Sequence, residues 1–167
     1  MKKIITNTTR AVLIACLALP LLACQNDGAD EQVETVQAPL VAPTGTDENE
    51  WGLYLTDAVR RNIGNSTSTY VYTLPAEDAE DFQGSYDRQL EKAQTDIARG
   101  VLPGTLLAFG SPSSIKSADL AVAALEGARE DSLEGVRFMF IGDAADSARV
   151  QPLVAPTAAE YVHIETE

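Results

Sequence analysis

The residues best suited to chemistry fall in two short loops. Phe109-Gly110-Ser111-Pro112-Ser113-Ser114 sets three hydroxyls between an apolar run and a helical stretch, where a helix N-terminus can meet an anion. Ile141-Gly142-Asp143 is the matching loop one unit later, and its carboxylate suits a ribose or sugar hydroxyl. Ligands of open parallel sheets bind outside the carboxyl ends of the strands, which is where both loops fall. A small-ligand binder or enzyme using Ser111, Ser113, Ser114, Gly142 and Asp143 is therefore one expectation. The competing expectation is structural, since Ser and Asp are common helix N-caps and Gly is a common turn residue. Neither loop carries a dinucleotide fingerprint or a Walker-type Gly-Lys-Ser/Thr, so no cofactor is expected.

Other chemistry has little to work with. Gly110-Ser111-Pro112 departs from the G-x-S-x-G elbow that exposes a serine nucleophile. The single histidine, His163, lies in a strand-like stretch beside Tyr161 and Glu165, opposite Val162 and Ile164, and is expected to look partly into solvent. With one His and two Cys in the chain, no zinc site of the usual nitrogen and sulfur type is expected. Glu77, Asp78, Glu80 and Asp81 form an acidic cluster without the spacing of a calcium loop, and read as a solvated approach to a helix.

These loops need elements to hold them. Asp47 with Glu50 three positions on has the form of a capping box. Trp51, Tyr54, Leu55, Ala58 and Val59 then recur at helical spacing, with Arg60-Arg61 in the last turn and Gly64 placed to end the helix. If that helix lies on a sheet, Trp51 belongs to the core. Thr69–Leu74 reads as a strand stopped by Pro75. A helix follows through Tyr86, Leu90, Ala93 and Ile97 to Gly100. The apolar runs Thr105–Phe109 and Val136–Ile141 fit strands buried on both faces. Between them a helix runs from Ser113 or Ser114 to about Glu130. Asp143 caps a short helix through Arg149, and Tyr161–Glu165 is a last strand. Strands alternating with helices imply right-handed crossovers, hence an α/β fold: a small, mainly parallel sheet of about four strands flanked by helices and preceded by an N-terminal helix. The pattern leaves the strand order open.

The N-terminus carries a different signal. Lys2, Lys3 and Arg10 precede the uncharged apolar stretch Ala11–Ala23, a secretory layout too short for the ~20 residues of a membrane-spanning helix. Leu21-Leu22-Ala23-Cys24 resembles the lipobox of bacterial lipoproteins. That resemblance covers residues 1–24 only. It implies that residues 1–23 are removed, that Cys24 is the lipidation site, and that acyl chains hold the protein in the cell envelope. Gln25 after the Cys points to the outer membrane by the sorting habit of that family, with the domain in the periplasm. Cys16 lies within the removed segment, so Cys24 is the sole thiol left and needs no disulfide partner.

From Gln25 to Thr46 the chain has no aromatic and no basic residue, and its Gly, Pro and acidic content predicts a disordered tether. Residues 24–46 are thus read as anchor and tether, and 47–167 as one domain. The whole chain has 12 Lys+Arg against 25 Asp+Glu, and loss of residues 1–23 leaves 9 against 25, a net of −16. Such acidity excludes nucleic acid as a partner and favours a basic protein. The leading expectation is a lipid-anchored envelope protein, non-enzymatic, acting as a binding or adaptor module for a periplasmic protein or envelope polymer. A second is an inhibitor or immunity lipoprotein against a toxin that acts in the periplasm.

Overall fold

The structure, a computed structural model, describes residues 37–166; the expected signal segment, Cys24 and the chain up to residue 36 lie outside the described residues. The elements run α1 (Glu48–Asn62), β1 (Ser68–Tyr72), α2 (Phe82–Arg99), β2 (Thr105–Gly110), α3 (Ser114–Leu125), β3 (Arg137–Ile141), α4 (Ala144–Val154), a short 3₁₀ turn (Ala155–Thr157) and β4 (Glu160–Ile164). The expected α/β class holds. All four strands are parallel, and their spatial order is their chain order, β1-β2-β3-β4. Right-handed crossovers in one direction place α2, α3 and α4 on a single face.

Alternation along the strands builds two cores. On the α2–α4 face, Leu107, Phe109, Phe138 and Phe140 meet Ala93, Ile97, Ala118, Leu120, Ala121, Val150 and Val154. An aromatic row crosses the whole sheet on this face. Its centroids are 4.7 Å apart for Tyr72–Phe109, 5.0 Å for Phe109–Phe138 and 6.4 Å for Phe138–Tyr161. On the other face, α1 lays Trp51, Tyr54, Leu55, Ala58 and Val59 over Leu106, Ala108, Met139 and Ile141. These two helical layers, one on each face, explain why β2 and β3 read as largely apolar runs.

Several boundaries differ from the periodic reading. The third helix ends at Leu125 rather than near Glu130, because Gly127 takes a positive φ of 83° that turns the chain out of the helix. The fourth continues past Arg149 to Val154 with Pro152 inside its last turns. The first is capped as expected, Asp47 accepting from the amides of Asn49 and Glu50 at 3.0 Å each. The described residues ahead of α1 lie against it. Arg61 donates to the carbonyls of Gln37 (2.7 Å) and Ala38 (3.0 Å), and the Leu40 amide donates to Asp57 (3.1 Å). Trp51 Nε1 donates to the Gly45 carbonyl at 2.7 Å, and Ala42 packs on the α1 core. These contacts use backbone groups, which composition does not reveal.

Candidate functional site

The two loops singled out by sequence do meet, and Ser114 is where they join. Its Oγ accepts from the Asp143 amide at 2.8 Å and donates to Asp146 Oδ2 at 2.7 Å, fastening the β3–α4 turn to the start of α3. Gly142 is required by this closeness, since a Cβ there would lie 2.6 Å from Ser114 Oγ and 2.8 Å from the Phe140 ring. Gly110 is required on the other face, where a Cβ would lie 2.8 Å from Leu55 Cδ2 and hold α1 off the sheet.

The remaining hydroxyls are also engaged. Ser111 is buried, its Oγ donating to the Ser113 carbonyl at 3.0 Å and sharing a hydrogen bond of 2.6 Å with Ser117 Oγ. Ser113 caps α3 through the Lys116 amide and donates to Glu77 Oε1 at 2.6 Å, which gives one member of the acidic cluster a structural partner. Asp143 occupies the N-cap position of α4 without a side-chain capping bond, and instead accepts from Thr166 Oγ1 at 3.0 Å. His163 stacks on Phe140 with centroids 6.1 Å apart, and its Nε2 lies 2.8 Å from the Gly142 carbonyl. A carbonyl only accepts, so that nitrogen carries the proton and is the donor. None of the three serines has the histidine as hydrogen-bond partner. Among the described residues no three His, Cys, Asp or Glu side chains group as a cation site.

An open concavity lies elsewhere, at the carboxyl end of β1. The strand order never reverses, so the sheet has no crevice of the doubly wound kind. The helices still part at one place: α1 enters on one face and α2 leaves on the other. There a cleft of about 390 Å³ opens between Glu48, Trp51, Gly52 and Leu55 of α1, the Thr73–Pro75 segment, Ser85, Arg88 and Gln89 of α2, and Pro112. Neither Gly142 nor Asp143 reaches it. Its walls mix apolar side chains with polar and charged ones.

Three details distinguish this cleft. Gln89 Oε1 is a buried side-chain acceptor with no hydrogen-bond partner, alone in this among the described residues. Such an atom loses its water hydrogen bonds without compensation, at a cost of about 1–3 kcal/mol. Gly52 sits inside α1, where glycine costs about 0.5–1 kcal/mol relative to alanine. A Cβ there would meet nothing within 4 Å, so packing gives no reason for the glycine. Arg88 makes its hydrogen bonds to Asp81 (2.9 Å) and Ser85 (3.0 Å) through Nη2, which leaves the rest of the guanidinium fork for other acceptors. Sequence reasoning named Trp51 but missed Glu48, Gly52, Arg88 and Gln89. The readable signal was Gly52, a glycine in the middle of an amphipathic helix.

No protein-family model, curated protein or solved structure matches this chain.

Proposed function

We propose that the protein is a lipid-anchored module of the bacterial cell envelope, held through Cys24, whose domain acts by binding a periplasmic protein or envelope polymer rather than by catalysis. The carrying observation for the domain is the employment of its hydroxyls. Ser111, Ser113 and Ser114 each serve the fold's own hydrogen bonds, and His163 Nε2 is turned to a backbone carbonyl. The support for the anchor is the Leu21–Cys24 sequence, with acyl chains contributing about 0.8 kcal/mol per buried CH₂ group, enough for stable attachment when two or more are present. A net charge of −16 after loss of residues 1–23 favours a basic partner face.

Crosslinking in intact cells, followed by purification of the full chain, tests the reading. A specific envelope partner, lost at high salt before crosslinking, is the expected result. Recovery of no envelope component above background, together with hydrolytic activity in the purified chain, contradicts it.

A further inference from the structure

We infer that two copies of this chain pair through the open edge of β1, joining their four-stranded sheets into one continuous sheet. Among the described residues no strand pairs with the outer side of β1, so a row of its backbone N–H and C=O groups faces outward. Natural edge strands are usually guarded by a charge, a proline or a bulge. β1 reads STYVY, which holds no charge and no proline, and its register with β2 runs unbroken from Ser68↔Thr105 to Tyr72↔Phe109. Its aromatic and β-branched residues favour strand pairing, and Tyr70 and Val71 stay about 40% exposed, one on each face. The opposite edge differs, since β4 carries His163 and a Glu160 paired with Arg137 at 2.7 Å. Lys92 lies close to β1 without guarding its edge. Its Nζ is bonded to Asp96 (2.9 Å) and sits over the Tyr70 and Tyr72 rings (5.2 and 4.6 Å), which keeps the charge on the face of the sheet.

Charge selects a second copy as the occupant. Gln94 reaches the Ala123 carbonyl on α3 at 3.0 Å, so the opposite side of α2, with Arg88, Glu91, Lys92, Asp96 and Arg99, is turned from α3 toward the β1 edge. The groove these residues line holds three cations and two anions, in a chain with 12 Lys+Arg against 25 Asp+Glu. Two acidic copies that repel elsewhere are free of that repulsion here. A two-fold axis perpendicular to the sheet pairs the β1 strands antiparallel, Tyr70 opposite Tyr70, and keeps both α2 helices on one face in opposite directions. The mixed signs of one helix then stand against the mixed signs of the other. A partner face of one sign would meet like charges there.

Light scattering of the full-length chain in detergent micelles, with the detergent subtracted, measures the protein mass over a concentration series. The inference predicts a transition to twice the chain mass. Tyr70→Lys and Val71→Lys should each raise the dissociation constant about tenfold or more, since two-fold symmetry enters every substitution twice and sets like charges across the paired strands. Both variants should keep the circular dichroism of the parent chain. Leu153→Lys, at a residue equally exposed but on α4, should leave the dimer unchanged. In a chain that also carries Cys16→Ala and Cys24→Ala, Tyr70→Cys should form an intermolecular disulfide and Leu153→Cys should not. Opposed antiparallel residues hold their Cα atoms about 4.5–5.5 Å apart, within disulfide reach. A monomer throughout the series, a dimer untouched by the two edge lysines, or equal disulfide yield at both positions overturns the inference. Capture of a foreign protein at residue 70 in place of a second copy overturns the choice of occupant. A monomeric chain that still retains an envelope partner would remove the dimer and leave the binding-module reading standing.

Discussion

Ser114 shows how a side chain that resembles a ligand contact is used by the fold. It is the acceptor for one loop amide and the donor to Asp146, which also pairs with Arg149 at 3.1 Å. Ser114→Ala leaves a buried carboxylate short of a donor and should destabilise the domain by about 1–3 kcal/mol in denaturant unfolding. Asp57 makes a second residue-scale prediction. Its hydrogen bond from Arg61 (2.6 Å), that from the Leu40 amide (3.1 Å) and that from Arg60 (3.0 Å) hold its carboxyl down to about 2. A carboxyl depressed in the folded state stabilises it above the ordinary range of about 4, and that contribution is lost as pH falls through about 2. The segment Gln37–Ala42 should therefore come away from α1 across that acid window. Amide exchange at Leu40 measures it, with slow exchange at neutral pH and fast exchange near pH 2 relative to the intrinsic rate, while Asp57→Asn exchanges fast throughout.

At the scale of elements, two glycines make opposite predictions from one geometry. Gly110→Ala drives a Cβ into Leu55 and Ile141, at 2.8 and 3.0 Å, and should cost about 1–3 kcal/mol by lifting α1 from β2. Gly52→Ala meets open space and should gain about 0.5–1 kcal/mol, since it only replaces a poor helix former. Thermal or denaturant unfolding of the two variants distinguishes them by sign. The same elements show what was legible from sequence. The runs TLLAF and VRFMFI were readable as strands because burial on both faces confines their polar residues, Thr105 and Arg137, to the start of each strand, and α1 was readable from its cap and apolar stripe. The end of α3 was not, since Gly127 terminates it before the polar residues that prolong the apparent pattern. The end of α4 was not legible either, since the helix runs past Arg149 to Val154 with Pro152 inside it. The cleft was illegible for a related reason: α1, the Thr73–Pro75 segment, α2 and Pro112 each supply a few lining residues, and only the tertiary fold joins them.

The whole molecule has an uneven division of labour. One face of the sheet is closed by three helices and a continuous aromatic row, while the other is covered by α1 alone, with Gln37–Gly45 laid against it by backbone hydrogen bonds. Since α1 rests on β2 and β3, the β1 edge remains the least covered part of the sheet, and Tyr70 and Val71 are about 40% exposed there. That edge ends in the cleft, so the open side of the domain and its unpartnered polar group coincide. The domain follows in sequence a segment whose Cys24 is the proposed attachment point to the membrane. No helix among the described residues is long and apolar enough to cross a membrane, and the proposed attachment requires none. Intact mass analysis of the N-terminal peptide of the protein purified from membranes tests this reading most directly. The account predicts a chain that starts at Cys24 and carries diacylglycerol on its sulfur, with Cys24→Ala found uncleaved and unlipidated. A chain that retains residues 1–23, or one with a free Cys24 thiol, would contradict it.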